Sequence, residues 1–268
     1  MHARRAVLLA LLFCATRVGS AAPDDSLGEK FAAVAQRTPG HIGAAAMLLE
    51  TGATAAVHGV EHFPMQSVYK LPIAMAILQR IDKGELKLKQ KILVTKDDLV
   101  PPSIYSPWRD EHPEGNVEVT IAELLTRTMI LSDGTTSDVL MRIAGGAAAV
   151  EKYLQALGVN DIAVATTEKE MGHDNAAQYR NWATPAAFLQ LLRSLHEGGA
   201  LSDTSRAFLI DLMTKSKTGP QRLRGLLPGE AIVAHKTGTS GTHDGLTAAT
   251  NDVGLITLPN GKHIAVAV

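Results

Sequence analysis

The sequence is almost without cysteine: its 268 residues contain one, Cys14, set in an apolar run near the amino terminus. If that run is removed on export, no thiol and no disulfide is left, and stability has to come from the core. A membrane span is also missing. Residues 1 to about 22 carry His2, Arg4 and Arg5, then an apolar stretch from Ala6 to Ala15, then small residues from Gly19 to Ala22. That is the pattern of a cleaved signal peptide, and it is too short to cross a bilayer. Phe13, just before Cys14, argues against a lipoprotein site. Positive charge is not in excess either. Without Arg4, Arg5 and Arg17 the 26 basic residues become 23 against 27 acidic ones, a net charge of −4, which argues against nucleic acid as a partner. No internal repeat or low-complexity linker divides the chain. The expectation is one exported, monomeric domain over residues 23–268, periplasmic and without a membrane anchor.

What is present suits a conventional core, with 46% hydrophobic residues. Ser26 and Glu29 have capping-box spacing, and Leu27, Phe31, Val34 and Ala35 then share one face of an opening helix. Residues 42–49 and 55–60, separated by Thr51-Gly52, read as a hairpin. Residues 67–81 are apolar almost all round, which places that helix in the middle of the domain. A long polar connection follows over 96–116, then helices over 120–129, 136–143 and around 147–156. Residues 160–181 form a long polar loop, of a length that is uncommon without a function. Helices resume over 184–196 and 203–214, strands over 232–235 and 253–258, and Asn260-Gly261 turns the chain into a strand over 262–268. Strands thus gather at both ends and helices between them. The economical packing is an α/β (α+β) fold: one antiparallel sheet formed from both chain ends, about 23–62 and 215–268, flanked by helices, with an inserted all-helical lobe, about 63–214.

Three short segments carry groups suited to opening an amide. Ser67-Val68-Tyr69-Lys70 at a helix start puts an amine beside a hydroxyl, and a partly desolvated lysine can take the proton that makes a serine nucleophilic. Ser132-Asp133-Gly134 between two helices offers a second hydroxyl to relay a proton to a leaving nitrogen, although an ordinary helix N-cap looks the same. Lys-Thr-Gly occurs twice. Lys217-Thr218-Gly219 runs into Pro220 after a helix and reads as a helix stop. Lys236-Thr237-Gly238 follows a β-rich run, where a strand can hold a cation and a hydroxyl along a cleft wall, and Gly238 lets a ligand approach the backbone.

Taken jointly, in that order and at those separations, the three segments resemble the signature set of class A serine β-lactamases and penicillin-binding proteins. Met65-Gln66-Ser67, Tyr105-Ser106-Pro107, Thr167-Glu168, residues 178–182, 235–241 and 249–253 resemble the PER-like branch of class A. The resemblance covers essentially everything after the leader, and implies the serine β-lactamase/DD-peptidase-like fold. It implies hydrolysis of the β-lactam ring of penicillins or cephalosporins, and hence antibiotic resistance, with Ser67 as nucleophile and Lys70, or Glu168 through a water, as its base. Ser132 would protonate the ring nitrogen, and Glu168 on the polar loop would activate water against the acyl-enzyme, with Glu170 a nearby competitor. The backbone N–H groups of Ser67 and Thr239 would form the oxyanion hole. Lys236, Thr237, Gly238, Thr239 and Arg222 would bind substrate through its carboxylate, and Tyr105 or Ile104 would line the mouth of the cleft. No cofactor is implied. The alternatives are a D-alanyl-D-alanine peptidase and a penicillin-sensing receptor domain, which acylate without turnover.

Several positions depart from the resemblance. Gly134 stands where most relatives have asparagine, Thr166 where many have an arginine that pins the loop, and Gly172 where an asparagine commonly helps hold water; Ser240 and Gly241 are small. The resemblance also implies a further helix after the strand that reaches Val268, so the chain as written is expected to lack its C-terminal helix and to fold poorly. No metal site is expected. His58 and His62, four apart, would meet only on a helix, which Gly59 and Pro64 oppose, and His173-Asp174 reads as a polar loop pair.

Overall fold

A computed structural model describes residues 25–225 and 227–268, so the expected signal peptide lies outside the described residues. A five-stranded antiparallel sheet organises the chain, in the order Ala53–Val57, Ala44–Leu48, His263–Ala267, Thr250–Thr257, Ile232–Thr239. The first two strands are the expected hairpin, with Leu48 opposite Ala53. Gly52 takes the turn's positive φ of 73°, a conformation that costs a side chain strain. Ala45 pairs with Ala267, so the sheet is closed by the two ends of the chain.

Helices cover the sheet because each presents one apolar stripe. Pro185–Glu197 buries Phe188, Leu191, Leu192 and Leu195, the spacing of one helical face, against the central strands. Asp25–Arg37 lies on Ala53–Val57, and Asp203–Thr214 on Ile232–Thr239. The Lys70–Asp82 helix is buried on every side from Lys70 to Leu78, as its unbroken apolar run requires, and is wrapped by Gly134–Ala144, Ala147–Ala156 and Asp203–Thr214. No helix of the described residues is long and apolar enough to cross a membrane.

The structure differs from the sequence reading where polar residues carry regular structure. The strand read over 232–235 runs on through Lys236 to Thr239, because its ladder to Thr250–Thr257 continues under polar side chains. The helix read over 120–129 is α-helical only over Ile121–Thr126, then widens into a π-turn over Arg127–Leu131 that ends at Ser132. The connection over 96–116 contains a short helix, Pro107–Glu111, capped by Ser106. The polar loop over 160–181 is likewise built: a short helix, Glu168–His173, and a 3-10 segment, Asn175–Arg180, lie between the paired strands Ile162–Ala163 and Trp182–Ala183.

Candidate active site

Ser67 sits in a 3-10 turn, Gln66–Tyr69, immediately before the helix that opens at Lys70. Two contacts hold that turn against the edge of the sheet. Asn251 donates its amide to the carbonyls of Pro64 and Met65 at 2.8 and 3.0 Å. Gly238 passes so close that a Cβ there would lie 2.4 Å from the Met65 oxygen and 3.3 Å from the Ser67 nitrogen. The glycine is therefore needed for the approach of strand to turn, whether or not a ligand is bound.

Ser67 and Lys70 meet on one carboxylate oxygen. Lys70 Nζ lies 2.8 Å from Glu168 Oε1, and Ser67 Oγ donates to the same atom at 3.5 Å. Lys70 also donates to the Ser132 carbonyl at 2.7 Å. Both charged groups are buried, and such a pair is tolerable only because each finds a partner. Glu168 is held from behind by Asp138, whose two oxygens accept the backbone N–H groups of Glu168 and Lys169 at 2.9 and 2.8 Å. Burial, then the neighbouring Glu168 carboxylate, push Asp138 up to about 7 against the pull of those two donors.

The competing carboxylate is accounted for by local structure. Glu170 Oε2 accepts from Thr166 Oγ1 at 2.8 Å and from the Thr167 backbone N–H at 2.9 Å, the reciprocal half of a capping box, and these bonds lower its pKa. Thr166 does not leave the loop unpinned. Asn181 Oδ1 accepts the N–H groups of Ala165 and Thr166 at 2.7 and 3.0 Å, and its amide donates back to the Thr166 carbonyl at 2.9 Å.

Ser132 has left-handed backbone, φ 63° and ψ 30°, at the end of the π-turn. Such strain in a non-glycine residue persists only where the surroundings over-determine it. Here Asp133 caps the next helix through the Thr136 N–H and accepts from Ser106 Oγ and the Trp108 N–H, all buried. The N-cap and the chemical readings of this segment are thus both satisfied, by adjacent residues. Ser132 Oγ accepts from Lys236 Nζ at 2.8 Å, and Lys236 also donates to the Thr237 carbonyl at 2.9 Å. Burial and the nearby Lys70 cation hold the Lys236 amine well below its ordinary pKa.

The first Lys-Thr-Gly copy follows the end of the Asp203–Thr214 helix, as the sequence reading has it, but it also reaches the cleft. Thr218 Oγ1 is 2.6 Å from Thr237 Oγ1 and lines the cleft, because Lys217 is tied back to the Ile130 carbonyl. Arg222 spans the strand end, donating to the Gly238 and Asn251 carbonyls at 3.0 and 2.7 Å and to Thr239 Oγ1 at 2.7 Å. Ser67, Lys70, Ser132, Glu168, Thr237, Thr239, Ile104 and Tyr105 all line one cleft of about 590 Å³. Tyr105 is exposed at its rim. Ile104 fills the space left by two glycines: a Cβ at Gly134 would lie 2.7 Å from its Cγ2, and one at Gly172 2.8 Å from its Cγ1.

Residues 26–268 match the family described as the beta-lactamase enzyme family. The chain belongs to that family. It is 43% identical over 264 residues to Beta-lactamase VEB-1 of Pseudomonas aeruginosa, covering 98% of this chain and 87% of the relative. It is 39% identical over 212 residues to Extended-spectrum beta-lactamase PER-1 of the same organism, covering 79% and 68%. A solved β-lactamase from Chitinophaga pinensis superposes with a TM-score of 0.86 at 47% identity, over 89% of this chain and 88% of the other. These relatives bear out the resemblance to class A and its PER-like branch, and with it the mixed fold of antiparallel sheet and helices. The protein is accordingly a hydrolase of the β-lactamase family. Residues to which sequence reasoning gave no role in the site, Asp138, Thr218, Asn251 and the Gln66–Gln178 pair at 2.6 Å, support this candidate site from outside its three motifs.

Proposed function

We propose that this β-lactamase opens the β-lactam amide of penicillins and cephalosporins through an acyl-enzyme on Ser67, giving resistance, and works in the periplasm after loss of residues 1–22. The substrate's carboxylate is held by Lys236, Thr237, Thr239 and Arg222, with Gly238 leaving room and Tyr105 closing the rim. Ser67 Oγ attacks the ring carbonyl as its proton leaves. In the 2.8 Å ion pair Lys70 is the donor, so the acceptor within reach of Ser67 is Glu168, directly or through a water. The backbone N–H groups of Ser67 and Thr239 take the negative charge that develops on the carbonyl oxygen. The carbon–nitrogen bond then breaks, Ser132, held by Lys236, delivers its proton to the ring nitrogen, and the proton taken from Ser67 passes from Glu168 back to Ser132, so that the carboxylate is free again.

The ester on Ser67 is cleared by water. Glu168 accepts a proton from it, the resulting hydroxide adds to the acyl carbon, and the bond to Ser67 Oγ breaks as the serine recovers a proton. The observation that carries this reading is the Glu168 carboxylate 3.5 Å from Ser67 Oγ. A D-alanyl-D-alanine peptidase or a penicillin-sensing receptor would instead keep the acyl group that a β-lactam leaves, for want of a base beside that ester. Intact-protein mass spectrometry during cephalosporin hydrolysis tests the point. The expected result is many turnovers per chain with at most a transient adduct, and none of either in Ser67→Ala; a stoichiometric, lasting adduct on the unmodified protein overturns it.

A further inference from the structure

Outside the cleft, the structure unites two imidazoles and a carboxylate that no motif joins. His41 precedes the first strand of the sheet; His58 and Glu61 follow the second. One ligand atom of each lies within 4.8 Å of the other two. We propose that His41, His58 and Glu61 form a surface site for a divalent metal ion of the zinc class, with a coordination position left to water. His58 is thereby joined not to His62, which stacks on Trp182 instead, but to a residue from a separate segment.

The cluster is more than an exposed ion pair between His41 Nε2 and Glu61 Oε2 at 2.5 Å. Such a pair needs only two of the three groups, and leaves the posture of His58 unexplained. His58 has a left-handed φ of 47°, which is uncommon for a side-chain-bearing residue. Its Nδ1 lies 2.6 Å from the Ile42 carbonyl, so a proton sits on Nδ1 and, in the neutral ring, the free lone pair is on Nε2. A backbone carbonyl fixing the tautomer from behind is the usual support of a metal-bound histidine. The two rings stack, centroids 4.8 Å apart, where two imidazolium ions would repel, and His41 stacks in turn on Phe63 at 5.2 Å. Phe63 is seated on Gly43, which has no room for a Cβ. The Glu61 backbone is set by its N–H bond to the His58 carbonyl at 3.1 Å.

Two histidines and a glutamate are a donor set that suits zinc, with bonds of about 2.0–2.2 Å. Donors in a tetrahedral shell then stand about 3.3–3.5 Å apart. Rotation of exposed side chains supplies the closure needed from the present separation. Protons compete with a metal ion for imidazole nitrogen, so affinity should be weaker in acid.

The test is to titrate the chelator-stripped, tag-free full chain with zinc chloride by calorimetry and equilibrium dialysis, alongside His41→Ala, His58→Gln and Glu61→Gln. The expected result is one zinc ion per chain, at least tenfold weaker binding in each variant, weaker binding at pH 5.5 than at 7.5, and a zinc-dependent rise in melting temperature confined to the unmodified protein. Hydrolysis of a cephalosporin by the zinc-free variants should be unchanged, since none of the three residues lines the cleft. No saturable binding by the unmodified chain overturns the assignment. Equal binding by folded Glu61→Gln and His58→Gln proteins also overturns it.

Discussion

Replacing Asp138 with Asn changes one buried group that supports the reacting carboxylate without touching it. In its ionised form, above about pH 7, the aspartate accepts two backbone N–H groups, from Glu168 and Lys169, and an asparagine of the same shape can accept only one while turning its own NH2 towards the other. A hydrogen bond to a charged group contributes about 1.5–3 kcal/mol, which sets a ceiling of roughly 10- to 150-fold on the loss of kcat if all of it served to position Glu168. Stability gives a second and independent readout. The folded-state pKa of Asp138, about 7, lies above its ordinary 3.8, so the folded protein holds a proton there that the unfolded chain releases. Stability from this group is therefore full below pH 3.8 and is lost as pH rises towards 7. Between pH 5 and 7 the unmodified protein should lose about 2 kcal/mol relative to Asp138→Asn, which has no such titration. For a domain of this size that is about 4–8 °C of melting temperature. Scanning calorimetry of both proteins across that range measures the difference directly. A difference in melting temperature that does not change with pH, together with unaltered turnover, would refute the account of how Glu168 is held.

Three further substitutions follow from the geometry. Glu170→Gln should weaken the capping box, by about 0.5–2 kcal/mol, yet spare the deacylation rate from the 100-fold or larger fall that loss of a general base brings; single-turnover kinetics tell the two carboxylates apart. Thr218→Val removes the 2.6 Å bond to Thr237 and should raise KM for a cephalosporin about fivefold, the worth of about 1 kcal/mol, with kcat nearly constant; an unchanged KM would return Thr218 to a structural role. Gly134→Ala pushes a methyl group to 2.7 Å from Ile104 and should cost about 1–3 kcal/mol in a thermal melt, with Ile104→Ala recovering part of it.

How far the sequence discloses this site depends on whether a residue's role is local. Ser67 with Lys70, and Asp133 as a cap, are legible because helix geometry relates residues three apart whatever surrounds them. The sheet built from both chain ends is legible because short apolar runs bounded by turn residues gather at the two ends of the sequence, with helical stretches between them. Lys236 to Thr239 were harder to read as strand because burial in this cleft falls on polar side chains, where hydrophobic periodicity is silent. The π-turn before Ser132 has no sequence signature, being a shift of backbone hydrogen bonds by one residue. Asp138 follows a serine, and in the sequence that dipeptide looks like any other Ser-Asp; only the fold brings it under Glu168, thirty residues on. Thr218 is illegible for the same cause, since its contact with Thr237 depends on how the chain returns to the sheet.

Glu168→Gln is the decisive variant, because it keeps the side chain's shape beside Ser67 and Lys70 while removing its capacity to take a proton from water. Rapid-quench mass spectrometry with a cephalosporin should show Ser67 acylated, a stable adduct accumulating and steady-state turnover falling by about 100-fold or more. Turnover at the unmodified rate with no accumulated adduct would contradict the assignment of Glu168 as the group that clears the ester.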